Sequence, residues 1–207
     1  MTFRPALVLF CLLFAAFGCS RRAADANAEK PAVTSGQAAG AKDAKGLETA
    51  ILAGGCFWGM EEILREVPGV IATDVGYTGG KTQGPTYDDV HLGTTGHAEA
   101  VRIVFDPKRI SYAELLEKWF FRMHDPTTKN RQGNDVGTQY RSAIFFTSPN
   151  QREVAESVKS RVDKSGKWSA PIVTEIVAAG TFTPAEDYHQ KYLQKNPGGY
   201  TCHYMRD

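Results

Sequence analysis

The chain has 207 residues, 42% apolar, 23% charged and 11% aromatic, which excludes a disordered or coiled-coil chain and fits one globular domain with appendages. A net charge of +1 supplies no basic surplus for nucleic acid and no acidic surplus for a solvating tail. Four cysteines without a C-x-x-C pair exclude a disulfide-dense scaffold and the commonest zinc and dithiol spacings.

The first segment is a leader. Arg4 precedes an unbroken apolar run over 6–17. At ~1.5 Å per residue the run reaches about 18 Å, short of a ~30 Å hydrocarbon core, so it reads as a signal peptide rather than a membrane span. A buried helix is the alternative, with no second apolar face beside it. Ala16-Phe17-Gly18-Cys19 resembles a lipobox, which makes 1–19 the signal-peptide and lipobox segment and Cys19 the lipidated new N-terminus. Cleavage after Ala28 is the competing reading. Either one exports the protein, as a periplasmic or membrane-anchored bacterial lipoprotein. Residues 20–46, rich in Ala, Lys, Gly and Ser, read as a flexible tether. The working domain is then 47–207. It holds 18 basic and 20 acidic residues, all five histidines, and only Cys56 and Cys202 as cysteines.

Within the domain, 48–53 predicts a strand ending in Gly54-Gly55. A helix follows over 56–66, with Phe57, Met60, Ile63 and Leu64 on one stripe and Glu61 and Glu62 on the other. Pro68-Gly69 stops it. Residues 70–77 predict a strand, 78–89 a Gly-rich loop and 98–105 a strand. Ser111 and Glu114 form a capping box for a helix to Met123. A polar loop spans 124–140 and a strand 142–147. Ser148-Pro149 opens a helix to Ser165. A strand over 172–178, a short helix over 184–193 and a tail over 196–207 complete the chain. Several connections are too short for parallel crossovers, so the expected class is α+β: a two-layer sandwich of helices on a mixed or antiparallel sheet.

The chemistry concentrates around Cys56. It directly follows a strand and begins a helix, whose free N–H groups and partial positive charge favour thiolate, the reactive form of cysteine. Gly54 and Gly55 permit a sharp turn. A buried inert cysteine is the plain alternative. Phe57 and Trp58 form either an apolar slot beside the sulfur or ordinary core. Glu99, among apolar neighbours, is a candidate acid with a raised pKa, or else a surface carboxylate on an edge strand. Asp135 and Tyr140, in a polar loop entering a strand, and Tyr87, in a Gly-rich loop, read alone as turn residues.

Taken together, GGCFWGME (54–61), VGYTGG (75–80), PTYDDV (85–90), GHAEAV (96–101), FDP (105–107), NDVGTQYRS (134–142), AEDYHQKYL (185–193) and NPGGYTCHY (196–204) resemble the A-type peptide methionine sulfoxide reductases. The resemblance covers essentially all of 47–207. It implies a ferredoxin-like plait that reduces the S epimer of methionine sulfoxide, free or in proteins, as repair of oxidative damage. Cys56 would attack the sulfoxide sulfur and Glu99 would act as acid. Tyr87 and Tyr140 would hold the oxygen, Phe57 and Trp58 would pack on the methyl group, and Asp135 would orient the polar network. The sulfenic acid so formed condenses readily with a thiol, and Cys202, in a Gly-rich tail, is the other cysteine of the domain. The disulfide would be reduced by an external thioredoxin-like dithiol. No bound cofactor or metal is expected, and the enzyme would be a monomer. The B type usually carries paired C-x-x-C zinc motifs, absent here. Competing readings are a thiol peroxidase or thioltransferase using the same cysteines, a membrane-tethered binding lipoprotein, and a zinc site drawing on His189 and His203. His91 and His97 are expected to make local hydrogen bonds.

Overall fold

The computed structural model describes residues 46–207; the signal-peptide reading, Cys19 and nearly all of the tether lie outside the described residues. In chain order the elements are β1 (Glu48–Gly54), α1 (Phe57–Arg65), β2 (Val70–Thr78), α2 (Tyr87–His91) and β3 (Ala98–Phe105). Helix α3 follows, as Tyr112–Glu114, a π-helical stretch Leu115–Phe120 and a last turn Phe121–Met123. Then come β4 (Arg131–Gln132), β5 (Asp135–Val136), β6 (Ser142–Phe146), α4 (Pro149–Lys164), β7 (Glu175–Ala178), β8 (Thr183–Pro184) and α5 (Tyr192–Lys195).

Six strands form one sheet in the order β7-β6-β1-β3-β2-β8, and β4 and β5 form a separate hairpin. The central pairs β6-β1, β1-β3 and β3-β2 are all antiparallel. With α1 joining β1 to β2 and α3 lying between β3 and β6, this centre is a ferredoxin-like plait. β7 extends it parallel to β6 after the crossover helix α4, and β8 adds an antiparallel edge beside β2. The α+β expectation and the plait both hold.

Strand alternation sorts side chains onto the two faces. Ala50, Leu52, Val101, Ile103 and Phe105 face the helices, where they meet Met60, Leu64, Leu115 and Leu116. Ile51, Ala53, Ala98, Ala100 and Phe145 face the other way, under Ala179 and Phe182. Each large core side chain contributes about 1.5–3 kcal/mol by leaving water. Glu99 shares the parity of Val101 and so points into the helix face, where it is 3% exposed. Its register partner on β2 is Tyr77, also buried.

Local signals set most boundaries. Ser111 accepts from Glu114 N–H while Glu114 reaches back to Ser111, the expected capping box. Ser148 caps α4 with Pro149 in its first turn.

Several expectations need correction. Glu61 does not face solvent with Glu62. It is 1% exposed and accepts from Thr73 Oγ1 at 3.0 Å and Lys191 N–H at 2.7 Å. The helix expected over 184–193 is not formed over 184–191. Pro184 pairs with Gly76, Ala185 N–H donates to Val75 O, and Gln190 bonds both the N–H and the C=O of Val75. Lys191 is left-handed at φ 54°, so helix forms only from Tyr192. The 172–178 strand begins at Glu175, because Ile172 N–H and Val173 N–H are drawn off to Asp163 and Pro126. The loop over 78–89 ends in α2, capped by Thr86 and Asp89, and the loop over 124–140 contains the β4-β5 hairpin.

Candidate active site

Cys56 sits at the junction of β1 and α1, as the residue before the first helical turn. Gly55 has φ 111°, and a Cβ there would lie 2.5 Å from Gln132 Cγ. The turn therefore needs glycine twice over, for its backbone conformation and for the space that Gln132 occupies. Cys56 borders a pocket of about 230 Å³. The fold brings Phe57, Trp58, Tyr87, Glu99, Asp135 and Tyr140 to that same pocket, from α1, α2, β3, the hairpin and the turn before β6. His91 and Tyr200 also line it. Neither was singled out for the pocket from sequence.

The electrostatics are those of a dry site. Burial raises the Glu99 carboxyl to about 8, the charge of Asp135 adds to this, and the Phe57 N–H it accepts at 3.0 Å opposes it. Glu99 is therefore largely protonated at neutral pH, with its proton inside the pocket. Burial is also the main influence on the Cys56 thiol and pushes it well above the ordinary range. The Glu99 charge adds to that, and the Trp58 N–H opposes it. The helix terminus thus does not make the resting thiolate expected from sequence. Its effect, about 0.3–1 kcal/mol, is small beside desolvation. When Glu99 carries its proton, the second-largest influence holding the thiol up is gone. Tyr87 and Tyr140 are raised by burial and by Glu99, so both phenols remain donors.

The aromatic walls are held from behind by 186–192, a segment whose role sequence reasoning missed. Trp58 Nε1–H donates to His189 Nδ1 at 3.0 Å, and the indole stacks on Tyr192 at 3.8 Å between centroids. The Phe57 and Tyr87 rings lie 5.1 and 4.7 Å from the His189 ring. Glu186 accepts from Tyr87 N–H at 2.8 Å and from Tyr77 OH at 2.9 Å. The signal in the sequence was the motif AEDYHQKYL (185–193), which marked the segment without saying which pocket residues it holds. His97, as expected, bonds locally, to Gly80 N–H and Thr82 O.

The tail returns to the site. Cys202 is a free, partly buried thiol that donates to Asp135 Oδ2 at 3.3 Å, while Tyr200 OH donates to Asp135 Oδ1 at 3.0 Å. The Cys56 backbone N–H faces the Cys202 sulfur. A Cβ on Gly59 would lie 2.2 Å from Thr201 Oγ1, so a glycine in α1 makes room for the tail. His203 Nε2–H donates to Gly54 O at 2.8 Å. His189 and His203 are thus engaged with Trp58 and Gly54, and among the described residues no group of three His, Cys, Asp or Glu side chains is placed to hold a metal. The site offers a nucleophile, a buried acid, phenolic donors, an apolar slot and a second thiol.

Comparison with known proteins gives this arrangement its class. The family model described as peptide methionine sulfoxide reductase matches residues 48–207. The chain is 57% identical over 157 residues to the peptide methionine sulfoxide reductase MsrA of Nocardia farcinica, covering 76% of this chain and 89% of that one. Among solved structures, Mxr1 from Saccharomyces cerevisiae in reduced form is similar at a TM-score of 0.75 and 38% identity, covering 81% of this chain and 96% of that one. Mxr1 in complex with Trx2 is similar at a TM-score of 0.55 and 25% identity, covering 81% and 95%. A buried acid facing a cysteine at a helix start, matched across nearly the whole domain, places the chain in the peptide methionine sulfoxide reductase family, as an enzyme of the A type.

Proposed function

We propose that the chain reduces the S epimer of methionine sulfoxide in two steps that end in a Cys56–Cys202 disulfide. The observation that carries this reading is the buried Glu99, raised to about 8 and lining the same pocket as Cys56. A sulfoxide oxygen leaves only when protonated, and Glu99 supplies that proton while Tyr87 and Tyr140 hold the oxygen. Cys56 sulfur attacks the substrate sulfur, with Phe57 and Trp58 around the methyl group. An S–S bond forms as the oxygen, taking one proton from Glu99 and one from the Cys56 thiol, leaves as water. A water molecule then adds its oxygen to the Cys56 sulfur and returns a proton to Glu99, the S–S bond breaks, methionine departs, and Cys56 is left as the sulfenic acid. Asp135, bonded to Tyr200 and Cys202, holds the polar side of the pocket. Cys202 then displaces water from the sulfenic acid to form the disulfide. The yeast relative's complex with Trx2 supports a thioredoxin-like dithiol as the reductant. The apolar run behind Arg4 supports export, with Cys19 as the lipid anchor. The domain is proposed to act as a monomer without a bound cofactor.

The test is a single turnover. Reduced 47–207, without added reductant, is mixed with each pure epimer of a methionine-sulfoxide peptide. About one equivalent of methionine from the S epimer alone, with both thiols lost, is the expected result. No methionine from either epimer would end the sulfoxide reading. Cys56→Ser is expected to abolish product. Cys202→Ser is expected to give one turnover and then stall with a thioredoxin-type donor; sustained turnover would remove Cys202 from the mechanism.

A further inference from the structure

The two cysteines have different surroundings, and those of Cys202 have a chemical consequence. Resolution needs the Cys202 thiolate. Yet burial and the Asp135 carboxylate push its thiol up to about 12, so a base must take the proton as the S–S bond forms.

Two acceptors face the sulfur. Asp135 Oδ2 lies at 3.3 Å and already shares its carboxylate with Tyr200. His203 Nδ1 lies at 3.5 Å, within reach for the larger sulfur atom. The imidazole's other nitrogen settles its tautomer. Nε2 meets the Gly54 carbonyl at 2.8 Å, and a carbonyl only accepts, so Nε2 carries the hydrogen and the neutral ring leaves Nδ1 as a bare lone pair. The ring is 6% exposed and neutral; burial holds it down to about 4, with Arg206 and Asp135 acting in opposite senses. The groups facing it are Cys202 and Arg206 on the tail, Asp135 on the hairpin and His124 after α3. Its anchor, Gly54, adjoins the turn that carries Cys56. The same contact therefore sets the tautomer of the base and ties the tail beside the turn that carries Cys56.

We propose that His203 is the catalytic base of the resolving step, taking the Cys202 proton at Nδ1 as the sulfur attacks the Cys56 sulfenic acid. The S–S bond forms and the S–O bond of the sulfenic acid breaks. The departing hydroxyl takes the proton back from His203 and leaves as water, so no outside oxidant or reductant is needed. The imidazolium exists only within this step, beside the Asp135 carboxylate. This inference rests on the disulfide mechanism proposed above.

The experiment compares two rates in one single-turnover reaction of reduced 47–207 with an S-epimer peptide. Methionine release reports the first step. Loss of the second free thiol, that of Cys202, and protection from a cyclic diketone that traps sulfenic acid, report closure. His203→Gln keeps an amide N–H for Gly54 O and removes the Nδ1 lone pair. Relative to methionine release, its closure is expected to slow on the order of 10²-fold, with trapped Cys56 sulfenic acid accumulating. Closure in His203→Gln should also keep climbing with pH toward the range of the Cys202 thiol, where the native chain has levelled off. Closure at the native rate would overturn the proposal and leave Asp135 as the base. Slow closure with the native pH profile would also overturn it, since that marks a displaced tail. His203→Asn, which gives up the Gly54 contact, should close no faster than His203→Gln; fast closure in Gln with slow closure in Asn would mean that His203 only positions the tail. Absence of methionine release from the native chain would instead sink the sulfoxide reading, which the same trace distinguishes.

Discussion

Glu99 sets the pH behaviour of the site. Its carboxyl is raised from 4.5 to about 8 by burial. Between those values the native chain keeps a proton that the unfolded chain has released. Stability from this group is complete below 4.5 and is lost as pH rises through about 8. The rate of methionine formation should fall over the upper part of that range as the acid ionises. Glu99→Gln retains an acceptor for Phe57 N–H but cannot give up a proton. It is expected to slow methionine formation by about 10²–10⁴-fold and to flatten the pH profile. Its melting temperature relative to the native protein should rise with pH across the window and then level off. The Cys56 thiol should also ionise more easily in this variant, since the Glu99 charge is one of its main obstacles; thiolate absorbance against pH measures this. Gly55→Ala is the complementary case, in which geometry rather than charge is at stake. A left-handed backbone and a 2.5 Å contact with Gln132 should cost about 1–3 kcal/mol in denaturant melts and disturb Cys56 as well.

The segment 186–192 is the element that holds the pocket's aromatic walls, and up to Lys191 it does so in turns rather than helix. Its side chains are spent on Val75, Tyr77, Tyr87 and Trp58, and its Lys191 N–H on Glu61. Glu186→Gln removes the charge on which the Tyr77 and Tyr87 bonds converge. It is expected to raise KM several-fold with a smaller effect on kcat and to shift the Trp58 fluorescence. Equal loss in both parameters would argue against a role in holding the pocket walls. Helix α4 behaves in the simpler way its sequence indicates. Ser148→Ala removes the acceptor for Gln151 N–H and should cost about 1 kcal/mol in urea melts, with catalysis unchanged.

Over the whole molecule, stability and chemistry share one core face. Leu52, fully buried at the sheet centre, should cost about 2–5 kcal/mol on change to Ala, whereas Ile71, 53% exposed on β2, should cost little. Denaturant midpoints of the two variants make the comparison. Much of this architecture was legible beforehand. Period-2 patterning located β3 at Ala98–Phe105, and the Ser111–Glu114 and Ser148–Pro149 signals located two helix starts. The motifs around Cys56, Glu99, Tyr87, Asp135, Tyr140 and Cys202 named residues that the fold brings together. Such signals act over a few residues, or survive as recognisable motifs, and so can be read along the chain. What packing across the fold decided was of another kind. Glu61 turned inward because Thr73 and Lys191 N–H wait for it, and 184–190 failed to become helix because Val75 took its hydrogen bonds. Cys56 rests as a thiol because burial across the fold outweighs its own helix, and His203 reaches Cys202 with a lone pair because Gly54, 149 residues away, claims its other nitrogen. Desolvation and long-range hydrogen bonds depend on what lies across the fold, and no local pattern in the chain encodes that.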